Sequence, residues 1–139
     1  AAYGLFAAAF YPAFDMRPAS RLLANAELQG RAIGNLGLYD GQFEFMGRMT
    51  RPVDRLYEGD FLQRWALQHP RGLVIAYPER LAPADLRYAR LVQPYRGIWM
   101  VIWDAPILAA LRRGQQPSEP GAPTLLLPAP DYWRYTKVH

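Results

Sequence analysis

Gly72-Leu-Val-Ile-Ala-Tyr77 is the stretch that decides the fold class. Residues 73–77 form a continuous apolar run of strand length, introduced by a glycine. Ile98-Trp-Met-Val-Ile-Trp103 repeats the pattern downstream. Such runs do not alternate polar with apolar, so they mark strands covered on both faces. The segments around them read as helices. Asp60, with Gln63 three residues on, has the spacing of a capping box ahead of Leu62, Trp65 and Ala66. His69-Pro70 closes that helix. Residues 83–90 predict another helix, and Asp104 stands at the N-cap of a last one over 106–112. Strands that alternate with helices predict an α/β fold. The expectation is a small three-layer sandwich, with a mostly parallel or mixed sheet and helices on both faces.

Upstream, Pro18, Leu22, Leu23, Ala26 and Gly30 outline a short amphipathic helix, with proline early and glycine past its end. Residues 32–39 predict a strand in which Gly34 and Gly37 allow a neighbour to pack closely. Asp40-Gly41 then signals a tight turn into 42–46, although Phe45, Met46 and Met49 also fall at helical spacing. Pro94-Tyr95-Arg96-Gly97 reads as a turn. Residues 114–123, rich in Pro, Gly and Gln, read as a flexible connector, with short edge strands expected over 124–127 and 133–138. The resulting organisation is a lead-in over 1–17, an α/β domain over 18–113, the connector, and a C-terminal segment over 124–139.

A chain of 139 residues suffices for one domain with a substantial core, and 51% hydrophobic against 20% charged residues argues against disorder. Fifteen of its sixteen cations are Arg and only Lys137 is Lys, but they are scattered. Scattered Arg beside abundant Ala is most simply the codon bias of a GC-rich genome; an anion-binding face is the rival reading. With no cysteine, disulfides, zinc–thiolate centres and thiol catalysis are excluded. The opening residues 1–14 are nearly uncharged, too few for the roughly 20 a spanning helix needs, and have no basic segment of a signal peptide. They read either as the outer end of a membrane helix that begins upstream or as an ordinary first element of the domain.

Catalytic inventories are thin. The two serines are Ser20, beside a helix start, and Ser118, in the connector, and the two separated histidines, His69 and His139, do not make a metal site. Gly34-Asn-Leu-Gly37 lies within a strand rather than after it, unlike a dinucleotide fingerprint. The best candidates are carboxylates at strand ends: Asp40, Glu79 and Asp104. Ligands of open α/β sheets bind outside the carboxyl ends of strands, so the three would share one rim and do acid–base work or hold a cation. Against this, Asp40 sits in a turn dipeptide and Asp104 at an N-cap, both structural places. Trp99 and Trp103, two on one strand face, read as core rather than as a stacking platform for nucleic acid.

Three segments together carry a family resemblance. They are Leu36-Gly-Leu-Tyr-Asp-Gly-Gln-Phe-Glu-Phe-Met-Gly-Arg-Met49, Phe61-Leu-Gln-Arg-Trp-Ala-Leu-Gln-His-Pro-Arg-Gly-Leu-Val-Ile75 and Tyr95-Arg-Gly-Ile-Trp-Met-Val-Ile-Trp103. The chain resembles the C-terminal extracytoplasmic domain of bacterial aminoarabinose-transferase-like glycosyltransferases, in the dolichyl-phosphate-mannose–protein mannosyltransferase superfamily. The resemblance spans roughly residues 18–111; the segment after Gly114 matches no part of that pattern.

The resemblance implies a polytopic enzyme of the bacterial inner membrane, with this domain on the periplasmic side. Such enzymes move a sugar from a polyprenyl-phosphate carrier to lipid A, a protein or another acceptor. Their catalytic acids lie in loops between N-terminal membrane helices, so no catalytic residue and no cofactor carries over to this chain. The implied partners are the transmembrane part of the same polypeptide, the membrane surface, and the lipid-linked donor or the acceptor, with no nucleic acid. Two rival readings rest on the residues alone. One is a free-standing α/β binding module for an anionic ligand. The other is a small cytoplasmic enzyme using the strand-end carboxylates.

Overall fold

The computed structural model describes residues 15–36, 53–95, 97–119, 121 and 123–127. Within them the chain is α/β, as expected. Six strands form one mixed sheet in the order β2-β1-β3-β5-β4-β6, and helices cover both of its faces. In chain order the elements are α1 (Arg17–Leu28), β1 (Ile33–Leu36), β2 (Asp54–Leu56), α2 (Asp60–Gln68) and β3 (Leu73–Ala76). They continue with α3 (Pro83–Tyr88), β4 (Leu91–Tyr95), β5 (Ile98–Asp104), α4 (Ala105–Arg112) and β6 (Leu125–Leu126).

The apolar runs do what their lack of alternation predicts. Leu73 and Ile75 of β3, with Met100 and Ile102 of β5, point to one face and meet Ala19, Leu23 and Ala26 of α1. Val74 and Ala76, with Trp99, Val101 and Trp103, point to the other. There they pack against Leu62, Trp65 and Ala66 of α2 and Leu108 and Ala109 of α4. Trp99 and Trp103 are each 2% exposed, so their place is the core. Each large side chain so buried contributes about 1.5–3 kcal/mol by leaving water.

Close packing explains Gly34. A Cβ at this position of β1 would overlap the side chain of Leu56 on the neighbouring parallel strand β2. At Gly72 an added Cβ would lie 2.9 Å from the Trp65 ring. The backbone therefore approaches where side chains cannot.

The strand directions were not legible. β1, β2 and β3 run parallel, but β5 runs antiparallel to both β3 and β4. Residues read as a turn at 94–97 are in part a strand: β4 extends to Tyr95, and Tyr95 pairs with Ile98 across a reversal in which Gly97 adopts φ +82. That left-handed conformation suits glycine. Pro94 is tolerated because of where β6 stops. The parallel ladder runs from Leu125 N–H to the Arg90 carbonyl and from Leu127 N–H to the Val92 carbonyl. The next rung would need an N–H from residue 94, which proline lacks.

Helix ends also differ in detail from the sequence reading. Gly59, not Asp60, is the N-cap of α2, and the Gln63 amide donates to the Ala109 carbonyl at 3.0 Å, joining α2 to α4. Helix α1 is capped from two residues before its start, where Asp15 Oδ1 accepts the Arg17 N–H at 3.0 Å. His69 closes α2 as expected, its ring 4.6 Å from that of Trp65. The expected turn at Asp40-Gly41, residues 1–14 of the lead-in expected over 1–17 and the strand expected over 133–138 lie outside the described residues, and Arg17, the last residue of that lead-in, already opens α1.

Candidate functional site

Three parallel strands end side by side, β2 at Leu56, β1 at Leu36 and β3 at Ala76. Just beyond these carboxyl ends lies a pocket of about 470 Å³. Its size is in the range of small-molecule sites, and its place follows the rule for open α/β sheets. Leu36, Leu56, Ala76 and Trp103 make an apolar floor. All four belong to the core face covered by α2, α3 and α4. The walls come from the segments that leave the strands: Tyr57 and Glu58 after β2, Tyr77, Pro78 and Arg80 after β3. Asp85 of α3 and Arg112 of α4 complete the mouth.

Each charged wall residue has a distinct environment. Glu58 and Arg112 form an ion pair, with Arg112 Nε 3.1 Å from Oε1 and Nη2 3.3 Å from Oε2. Both side chains are about half exposed, and such pairs contribute only about 0–1 kcal/mol, so the pair yields readily to a competing ligand. Asp85 Oδ2 accepts the Ala82 N–H at 2.7 Å. Burial nonetheless raises its pKa above the ordinary carboxylate value, outweighing that hydrogen bond and the field of Arg112. Burial also pushes the Tyr77 phenol well above its ordinary value, with Tyr95 adding to the shift, so Tyr77 stays neutral. The Tyr77 hydroxyl is buried and has no hydrogen-bond partner among the described residues. Arg80 is exposed, and among the described residues its guanidinium makes no hydrogen bond or ion pair.

Of the aromatic walls, Tyr57 is half exposed and Trp103 is closed off. The Tyr57 ring meets Phe61 edge-on at 5.4 Å, and the Arg55 guanidinium lies 5.5 Å from its centroid. Trp103 is almost wholly buried.

The expected rim of three carboxylates does not form. Because β5 is antiparallel, Asp104 pairs in register with Leu73, the first residue of β3, and so lies at the opposite end of the sheet from Glu79. About 10 Å of strand separates those two ends. Asp104 occupies the N-cap position of α4 without a side-chain capping bond. Its carboxylate instead binds Arg31, Oδ1 to Nη2 at 2.8 Å, with Arg90 Nε 4.0 Å from Oδ2. Arg31 Nε also donates to the Arg71 carbonyl, which ties the entry of β1 to the entry of β3. Glu79 is on the pocket side but exposed, on the bend beside the wall rather than in it. Asp40 lies outside the described residues.

Sequence reasoning missed Tyr57, Glu58, Arg80, Asp85 and Arg112. A signal existed for some of them, since residues that follow parallel strands line such pockets, but it needed the strand directions. Among the described residues no group of three His, Asp or Glu side chains is placed to hold a metal ion, and no helix is long and apolar enough to cross a membrane. Compared with protein-family models, curated proteins and solved structures, the chain matches none of them.

Proposed function

We propose that this chain is the accessory, ligand-binding domain of a bacterial inner-membrane glycosyltransferase that draws its sugar from a polyprenyl-phosphate donor. The domain stands on the periplasmic side and is joined to the transmembrane part of the same polypeptide. It binds part of the lipid-linked donor or the acceptor, while the bond-making acids belong to the membrane part. One observation supports this most. The second and third segments that carry the resemblance contribute β3 and β5, neighbours at the centre of the sheet, and Leu36, the first residue of the first segment, ends β1 beside β3. Leu36 from the first and Trp103 from the third form the floor of the pocket.

Reading the coding sequence upstream of Ala1 tests the proposal at once. Several apolar spans of about 20 residues are expected there. A start codon close to Ala1, with no such span before it, would overturn the membrane-enzyme reading. The rival reading, a free-standing module for an anionic ligand, is favoured by Arg80 and Arg112 at the pocket mouth. It would then be the one left standing.

A further inference from the structure

We propose that the pocket at the carboxyl ends of β1, β2 and β3 binds a phosphorylated sugar, with Arg80 on the phosphate and Asp85 on a ring hydroxyl. The assignment deepens the binding-domain reading above and rests on it only for the source of the ligand.

Four features lead to this chemistry. A guanidinium presents a planar fork of donors that matches a phosphate, and Arg80 is the pocket cation with no partner among the described residues. A second cation, Arg112, is held by Glu58 through a half-exposed pair that a phosphate can compete for. Asp85 offers Oδ1 as an acceptor while Oδ2 is engaged by Ala82, which suits a hydroxyl and repels a second anion. The apolar floor of Leu36, Leu56 and Ala76 suits the carbon skeleton of a small ring, and 470 Å³ leaves room for ring and phosphate together.

The same walls disfavour a nucleotide. A base needs an open aromatic face to stack upon. Trp103 is 2% exposed and offers none, and the half-exposed Tyr57 ring already meets Phe61 edge-on and the Arg55 guanidinium, so a base would have to compete for it. A fully apolar ligand is disfavoured as well, because it would strip water from four charged groups without offering hydrogen bonds in return.

The phosphosugar can be soluble or the head group of a polyprenyl lipid. Calorimetric titration of the 139-residue chain distinguishes the two. One arm uses the 1-phosphates of glucose, galactose, mannose and N-acetylglucosamine; the other uses the same sugars on a short polyprenyl phosphate in detergent micelles. Glucose and inorganic phosphate serve as references. The expected result is saturable binding in at least one arm, tenfold or more tighter than to either reference. It should weaken tenfold or more in Arg80→Ala and severalfold in Asp85→Ala, with unchanged thermal melting in Arg80→Ala. Binding in the micelle arm alone supports the proposal and assigns the ligand to a lipid head group. No binding in either arm, equal binding of inorganic phosphate, or binding indifferent to Arg80→Ala overturns it. A null titration with membrane spans found upstream would sink this assignment and leave the glycosyltransferase reading intact. Binding without such spans would do the reverse.

Discussion

The two ends of the sheet use the same residue types for different ends. At the amino ends of β1 and β3, Arg31, Arg90 and Asp104 form a compact set, with Arg31 and Asp104 12% and 24% exposed. Its members come from before β1, from just before β4 and from the end of β5, so the set joins distant parts of the chain. At the carboxyl ends, Glu58, Arg80, Asp85 and Arg112 ring an open pocket. There the one ion pair is half exposed, and Arg80 has no partner among the described residues. Charge at a strand end is thus no guide to function until strand direction is known. The shielded Arg31–Asp104 pair ties the sheet together, whereas exposed and loosely held charges are free to meet a ligand.

The largest effect expected from breaking this contrast is at the closest contact beneath the pocket. Gly34→Val should cost about 2–4 kcal/mol, since the added atoms must displace buried Leu56, and chemical denaturation would show it. Leu56 is also part of the pocket floor, so any folded variant should lose ligand binding too. Next comes the structural rim. Asp104→Ala removes the carboxylate partner of shielded Arg31 and of Arg90, at a cost of about 2–3 kcal/mol visible as a lower melting temperature. Trp65→Phe removes the indole donor to Asp54 Oδ2 at 2.9 Å and should cost about 1 kcal/mol. Arg80→Ala, at the functional rim, should change stability by less than about 0.5 kcal/mol.

How far the sequence reading reached depended on what each segment could express locally. β3 and β5 were legible because an unbroken apolar run means burial on both faces. α1 was legible from its early proline and the glycine past its end, and the tryptophans of β5 from their period-two spacing. β4 was hidden by Pro94 and Gly97, which speak of a turn in isolation. Only the end of β6 makes that proline tolerable. Missing β4 concealed the hairpin, and without the hairpin nothing said that β5 runs against β3. Asp104 was accordingly assigned to the wrong rim. The pocket residues were hidden for the same reason, because they meet only after the parallel strands are laid side by side. Glu79 marked the right rim but not the right carboxylate, since its neighbour Asp85 is the one drawn inward by α3.

The smallest effects expected concern pH, and they separate the two carboxylates whose surroundings act in opposite senses. Asp15 is held at about 2, mainly by its side-chain hydrogen bonds from Arg17 and then by the Arg17 N–H. Its contribution to stability is present above the ordinary carboxylate value of 3.8 and is lost as pH falls through about 2. Asp85, raised by burial, behaves conversely. Its contribution is greatest below 3.8 and declines as pH rises through its raised value. Asp85→Asn should therefore flatten the stability profile on the mildly acidic side, and Asp15→Asn should flatten it at the acid extreme. Melting curves taken across pH 2–7 would separate them, and a profile unchanged in both variants would show that neither environment matters to folding.

The contrast between the rims can be tested residue by residue in one experiment. Backbone amide NMR shifts would be followed while a sugar 1-phosphate is titrated into the isotope-labelled chain. The account predicts saturating shifts for the amides of Leu56, Tyr57, Glu58, Tyr77, Arg80 and Asp85. It predicts still signals for Arg31, Arg71, Leu73 and Asp104 at the other end of the same strands. Shifts centred on Arg31 and Asp104, or spread evenly over both rims, would contradict it.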